Sequence, residues 1–209
     1  MKKSAFDILN QNTNTDSKII ASLERIAQAF RVLLWNESKE FSLSPIQIQV
    51  LIFLLHHDTD KRKVSFLAGE FNMSKATISE TVKILEQKKL IHKEFEQNDA
   101  RSYIIHLSSK GKDVAQKTSL FAQQIQVPIQ KLDPEHKDNL LISLLEIIHH
   151  LNQSGVITIQ RMCLSCRYYT HEKNGNEHFC ELMNQALAQH ELRIDCPEHV
   201  ISPTQESTT

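Results

Sequence analysis

Cys163, Cys166, Cys180 and Cys196 are the only cysteines of a 209-residue chain, and none occurs in the 162 residues before them. A Cys-x2-Cys turn lets two thiolates converge on one ion, and two further cysteines complete a four-sulfur shell. The intervening lengths are 2, 13 and 15 residues. Paired zinc knuckles usually carry two Cys-x2-Cys units. One such unit plus two single cysteines, the last followed by Pro197, fits zinc or an iron–sulfur cluster. Zinc is the first choice. His171, His178 and His199 are substitute ligands or outer donors, or surface histidines. Three readings stay open: a zinc that only folds a segment too small for its own core, a redox-active or iron–sulfur site with a regulatory role, and thiols that bind nothing.

A second set of candidates is polar and cationic. The run SKATISETVKILEQK predicts a helix whose outer face carries Ser74, Lys75, Thr77, Ser79, Glu80 and Lys83. Short hydrogen-bonding and cationic side chains near a helix N-terminus suit phosphates and base edges in a major groove. From Lys61 to Lys112 there are eleven Lys or Arg against six Asp or Glu, a local charge of +5 inside a chain whose net charge is −1. That asymmetry directs this segment toward a polyanion and turns the acidic remainder away.

The elements that must position these groups are mostly helical, because only four glycines and five prolines interrupt the chain. Residues 17–39 space Ile19, Ile20, Leu23, Ile26, Ala27, Phe30, Leu33 and Leu34 as an amphipathic helix. Ser44 and Pro45 start a buried helix through IQIQVLIFLLHH. Two short helices follow in VSFLAGEF and SKATISETVKILEQK, with Val64, Leu67, Ala68, Phe71, Met73, Ile78, Val82 and Leu85 as their inner face. LIHKEFE and SYIIHL predict a hairpin with a polar tip at QNDAR, in which Ile91, Phe95, Tyr103, Ile105 and Leu107 supply the apolar positions. One long helix starts near Ser109 and is ended or kinked by Pro128. Another starts at Asp133 and Pro134 and stops near Gly155. The order helix, helix, turn, helix, hairpin over 64–107 is that of a winged helix-turn-helix.

The run LAGEFNMSKATISETVKILEQKKLIHKEFEQNDARSYIIHLSSKG resembles the core of the MarR family of bacterial transcriptional regulators, and the likeness in helix order extends over about residues 15–153. LAGEFNMSKATIS is similar to the family's helix, turn and start of recognition helix. Asp99 and Arg101 stand at its Asp-x-Arg wing pair, and LSSKG at its Leu-Thr-x-x-Gly entry to the next helix. The resemblance implies a wing arginine in a minor groove held by the aspartate. It also implies a homodimer of interlocked terminal helices on double-stranded DNA with a near-palindromic operator. A small-molecule effector is a further implication, with Phe30, Trp35, His56 and His57 as candidate lining. Two positions depart from the pattern: Ala100, where a basic residue is common, and Lys89, where a helix-ending glycine is common.

The expected fold class is therefore mainly α with a small β-hairpin wing (α+β): a winged helix-turn-helix with long dimerisation helices and a small C-terminal metal-type module. The boundaries are 1–16 (flexible), 17–153 (MarR-like), 156–200 (four cysteines) and 201–209 (disordered tail). No apolar run approaches the roughly 18 to 20 residues of a membrane span, and MKKSAFDILNQNTNTDS turns polar too early for a signal peptide. A cytoplasmic protein with no membrane partner is expected, whose thiols stay reduced. An enzyme is not expected, since no nucleophile–base pair or phosphate-binding glycine loop is visible. The functional expectation is a DNA-binding regulator, a repressor, with metal- or redox-responsive control; the alternative is a winged-helix adaptor whose zinc module binds a protein.

Overall fold

A computed structural model describes residues 4–96, 99–173 and 175–202. The helices are α1 (Ile8–Thr13), α2 (Thr15–Phe41), α3 (Pro45–His56), α4 (Val64–Glu70) and α5 (Lys75–Gln87), then α6 (Ser109–Thr118), α7 (Gln123–Gln130) and α8 (Pro134–Gln153). The strands are β1 (Ile91–Glu96), β2 (Asp99–Leu107), β3 (Tyr169–Lys173), β4 (Asn176–Cys180) and β5 (Gln185–Leu187). The fold is mainly helical with small antiparallel sheets, as expected.

Two compact units result. The first comprises 1–63 and 79–126, the second 64–78 and 127–209. In the first, the Ser44 hydroxyl accepts from the Gln47 amide, the Gln47 side chain answers the Ser44 amide, and Pro45 follows at the first helical position. Ile48, Val50, Leu51 and Leu54 of α3 are buried, as are Val82, Leu85, Ile91, Ile105, Val114 and Ala115. β1 and β2 pair antiparallel, with Ile91 opposite Leu107 and Phe95 opposite Tyr103.

The join between hairpin and α6 explains the LSSKG motif. Ser108 caps α6 by accepting from the Gly111 amide at 3.0 Å, its own amide bonds the Leu90 carbonyl at 2.9 Å, and its hydroxyl bonds the Lys89 carbonyl at 2.8 Å. A Cβ on Gly111 would lie 1.8 Å from the Leu90 oxygen. Only glycine lets the helix approach this closely. Lys89 itself is left-handed, with φ 58°, so a lysine does fill the helix-ending position where glycine is common.

The second unit gathers α4, the turn after it, the start of α5, α8 and the three-stranded sheet β3-β4-β5. Asp133 caps α8 through the His136 amide and Pro134 opens it. Leu145 of α8, Met162, Leu187 and Leu192 form a core against which Cys163 and Cys180 pack.

Several details differ from expectation. Asn14 caps α2 through the Ser17 amide, so the helix begins at Thr15, and α1 occupies part of the stretch expected to be flexible. The helix from Ser109 stops at Thr118, where Leu120 and Phe121 make i→i−3 bonds, and Pro128 lies inside α7. Phe95 is 61% exposed, on an end of the hairpin that outruns the core, with its ring edge-on to Tyr103. Met73 is also exposed, because left-handed Asn72 (φ 49°) turns it outward while its amide closes on the Ala68 carbonyl. Val64 and Phe71 are half-buried; Leu67, Ala68, Ile78, Val82 and Leu85 are buried. Residues 203–209, most of the expected tail, lie outside the described residues.

Candidate nucleic-acid interface and thiol site

Helix α5 presents Ser74, Lys75, Thr77, Ser79, Glu80 and Lys83 to solvent, while Ile78, Val82 and Leu85 turn inward. The division follows from an apolar i, i+4, i+7 pattern in a 13-residue helix. Ser74 caps the helix: its hydroxyl accepts from the Thr77 amide at 3.1 Å and meets the Thr77 hydroxyl at 2.8 Å. This fixes the first turn, so its remaining amides and Lys75 point outward together. Lys83 lies 3.6 Å from Glu80, an exposed pair that restrains its cation weakly.

The hairpin is tied to its surroundings by charge. Lys93 reaches Glu86 of α5 at 2.7 Å and lies over the Tyr103 ring. Glu96 accepts from Lys63 at 2.6 Å and from the Ser102 hydroxyl, and these bonds hold its carboxyl below the usual carboxylate range. The backbones of Asp99 and Arg101 belong to β2, whereas their side chains lie outside the described residues.

The four candidate effector contacts occupy different settings. Phe30 packs edge-on to Phe121 at 6.1 Å, and His57 stacks on Phe53 at 3.7 Å. Trp35 is exposed beside Lys39, and His56 is exposed.

In the second unit the four cysteines, all free, line one cavity of about 50 Å³ together with Tyr169, Leu187 and Arg193. Cys163 and Cys166 flank a 3-10 turn, Cys180 ends β4, and Cys196 follows Asp195. Donors reach two of the sulfurs: the Arg193 amide to Cys163 at 3.2 Å and the Arg193 guanidinium to Cys196 at 3.5 Å. Burial pushes the Cys163 thiol up, partly offset by that amide, and raises the Tyr169 phenol to about 12. Among the described residues no three His, Cys, Asp or Glu side chains are placed to ligate a single ion. The histidines sit apart: His178 bonds the Tyr169 hydroxyl at 2.7 Å, His199 meets Ser165 at 2.9 Å, and His171 is exposed.

Arg161, two residues before Cys163, is a functional candidate that the sequence reading missed. Its guanidinium binds Asp195 at 2.6 and 2.9 Å and Glu70 of α4 at 2.8 and 3.3 Å, and lies over the Phe66 ring. Its side chain is 11% exposed, and the two carboxylates raise its already high pKa further. Beside it, the Thr158 hydroxyl donates to the Gly69 carbonyl at 2.8 Å, and a Cβ on Gly69 would come 2.7 Å from Ile159. The available signal was weak: an arginine and an aspartate, each close before a cysteine, and an acidic residue in a basic window.

A capped helix with an outward polar face, preceded by a short helix and followed by a two-stranded hairpin, defines the winged helix-turn-helix class. Within it, residues 41–102 match the MarR family. Members of that family are transcription regulators, not enzymes. The Bacillus subtilis uncharacterized HTH-type transcriptional regulator YydK is 29% identical over 111 residues. That alignment covers 50% of this chain and 47% of the relative, so the chain spans about half the length of the curated relative it matches. The Staphylococcus aureus MepR–DNA complex has a similar fold, with TM-score 0.55 and 22% identity, covering 63% of this chain and 96% of that one. AbsC, a MarR family transcriptional regulator from Streptomyces coelicolor, gives TM-score 0.56 and 21% identity over 67% and 96% of the two chains. No helix among the described residues is long and apolar enough to cross a membrane.

Proposed function

We propose that this chain is a dimeric transcriptional repressor that binds double-stranded DNA at a near-palindromic operator in the cytoplasm. The observation that carries the reading is the outward face of α5, where Ser74 fixes the first turn and Lys75, Thr77, Ser79 and Lys83 stand free of the core. That face enters the major groove, and at the wing Arg101, held by Asp99, addresses the minor groove. MepR, whose fold is similar, has been solved with DNA, which supports this use of the fold.

Dimerisation draws support from unpartnered apolar surface. Ile19, Ile20 and Ile26 of α2 are exposed, as are Leu140 and Ile147 of α8. A water-facing row of this kind on a 27-residue helix is stabilised by burial against a second copy. Two-fold symmetry then sets the recognition helices about 34 Å apart, one turn of the duplex.

The test is fluorescence anisotropy with a duplex from the chain's own upstream region. Expected is saturable binding that is at least about a thousandfold tighter than to an unrelated duplex at the same salt. Lys75→Ala and Lys83→Ala should each weaken it and reduce the salt slope by about one. Equal affinity for both duplexes would refute the repressor reading and favour the adaptor.

A further inference from the structure

The cysteine segment is built onto the first helix of the DNA-binding motif. Residues 64–78 cluster with 127–209 in one compact unit, and the contacts that join them are specific. Glu70 and Asp195 share the Arg161 guanidinium, Thr158 bonds the Gly69 carbonyl, and Ile159 fills the space over Gly69. Asp195 and Arg161 are joined again by a backbone bridge, and the Cys196 amide donates to the Arg161 carbonyl at 2.8 Å. The clamp on α4 is therefore made from residues directly beside Cys163 and Cys196.

Helix α4 has seven residues. A helix this short has little stability of its own and takes its position from what it packs against. Moving Cys196 moves Asp195, which shifts or releases Arg161 and with it the hold on Glu70.

The thiol cavity has features of a loaded site. Four cysteines from three segments line one space. An amide and a guanidinium are aimed at two of them, donors that stabilise thiolates far more than neutral thiols. A zinc–thiolate centre draws its sulfurs to about 2.3 Å from one point and leaves no room between them. Here the four cysteines line one cavity, and no three of the described Cys, His, Asp or Glu side chains are placed around a single ion. An extended group with several metal corners, each taking one thiolate, suits that arrangement, and an iron–sulfur cluster is such a group.

We propose that Cys163, Cys166, Cys180 and Cys196 hold an iron–sulfur cluster whose presence sets the Arg161 clamp on α4 and so controls operator affinity. Each thiol binds as a thiolate, giving its proton to solvent. The control step rests on the DNA-binding reading above; the cluster does not.

The test uses the full chain purified without oxygen, with one portion stripped of metal by chelation. Expected are iron and sulfide in the purified chain, visible charge-transfer absorption, and its loss in Cys166→Ser and Cys180→Ser. Operator affinity of loaded and stripped chains should differ at least about tenfold, within the usual range of allosteric coupling. Glu70→Gln keeps the shape of the side chain but loses its charge. It should retain the absorption while that ratio falls below about threefold. If the serine variants misfold by circular dichroism, the stripped wild type supplies the same comparison. A colourless chain with one zinc overturns the cluster. Equal affinity of loaded and stripped chains overturns the control, as does a Glu70→Gln ratio like wild type. No operator binding in any form overturns the control together with the reading beneath it, while the absorption still decides the cluster.

Discussion

Replacing Gly111 by alanine should be among the most damaging small changes in the first unit. The added Cβ would lie 1.8 Å from the Leu90 carbonyl oxygen and 2.8 Å from its carbon, and both are backbone atoms that no rotamer change can move. Real Cβ contacts stay beyond 3.0 Å, so α6 and the strand-entry segment must separate by more than about 1.2 Å. The Ser108 amide bond to Leu90, now 2.9 Å, and the Ser108 hydroxyl bond to Lys89, now 2.8 Å, would both open past about 3.5 Å and break. Two lost bonds cost about 1 kcal/mol each, and loosened packing of Leu90, Ile91 and Val114 adds as much again. The expected loss is about 2–4 kcal/mol, read as a fall of about 1–2 M in the urea midpoint by circular dichroism. Gly155→Ala is the control: φ there is +73° but nothing lies within 4 Å, so only the backbone cost of about 1 kcal/mol applies. If Gly111→Ala unfolded within about 0.5 kcal/mol of wild type, the close-approach account of the motif would be wrong.

Arg161→Ala leaves the half-buried Glu70 and the exposed Asp195 without a shared cation; about 2–3 kcal/mol of thermal or urea stability should be lost, with Arg161→Lys recovering less than half because it cannot bond both carboxylates in a fork. Burial lowers the His149 pKa from 6.5, so its neutral form is favoured in the folded chain. The unfolded chain then takes up the proton first, and stability present above about pH 6.5 should fall as pH drops toward the folded value. Urea midpoints measured across that range should show this slope, flattened in His149→Gln. Arg101→Ala should weaken operator binding while sedimentation still shows a dimer; loss of the dimer would contradict its place at the wing.

Much of the helical framework was legible because its signals are local. Ser44 before Pro45, and Asp133 before Pro134, each satisfy the first amides of a helix from within four residues, so chain spacing alone marks the start. The apolar spacing of Ile78, Val82 and Leu85 likewise announces which side of α5 turns inward. Phe95 and Met73 were misplaced for a different reason. Both are large and apolar at positions where periodicity points inward, yet one lies beyond the reach of the core and the other follows a left-handed asparagine. Periodicity reports a face, not how far the core extends along it.

The least legible feature is the one that relates the cysteines to the DNA-binding motif. Along the chain the cysteines follow α8 directly, which points to a route through that helix. The structure retains such a contact, with Leu145 in the same core as Met162, Leu187 and Leu192. It also adds a polar route to α4 that chain order hides, since Arg161 and Glu70 are 91 residues apart. The two routes differ in what they can transmit. Apolar packing at Leu145 tolerates small shifts at little cost, because dispersion contacts weaken gradually. A guanidinium held between two carboxylates has a directional geometry, so a small displacement of Asp195 breaks bonds to Arg161 outright and leaves charge unpaired. A structural module needs only the first kind of contact; a module that reports its state to α4 needs the second. Arg161→Met separates them, because it keeps side-chain bulk over Phe66 and removes the hydrogen bonds. A merely structural module would then show lower stability with unchanged operator affinity in loaded and stripped chains, whereas a reporting one would lose the difference between them.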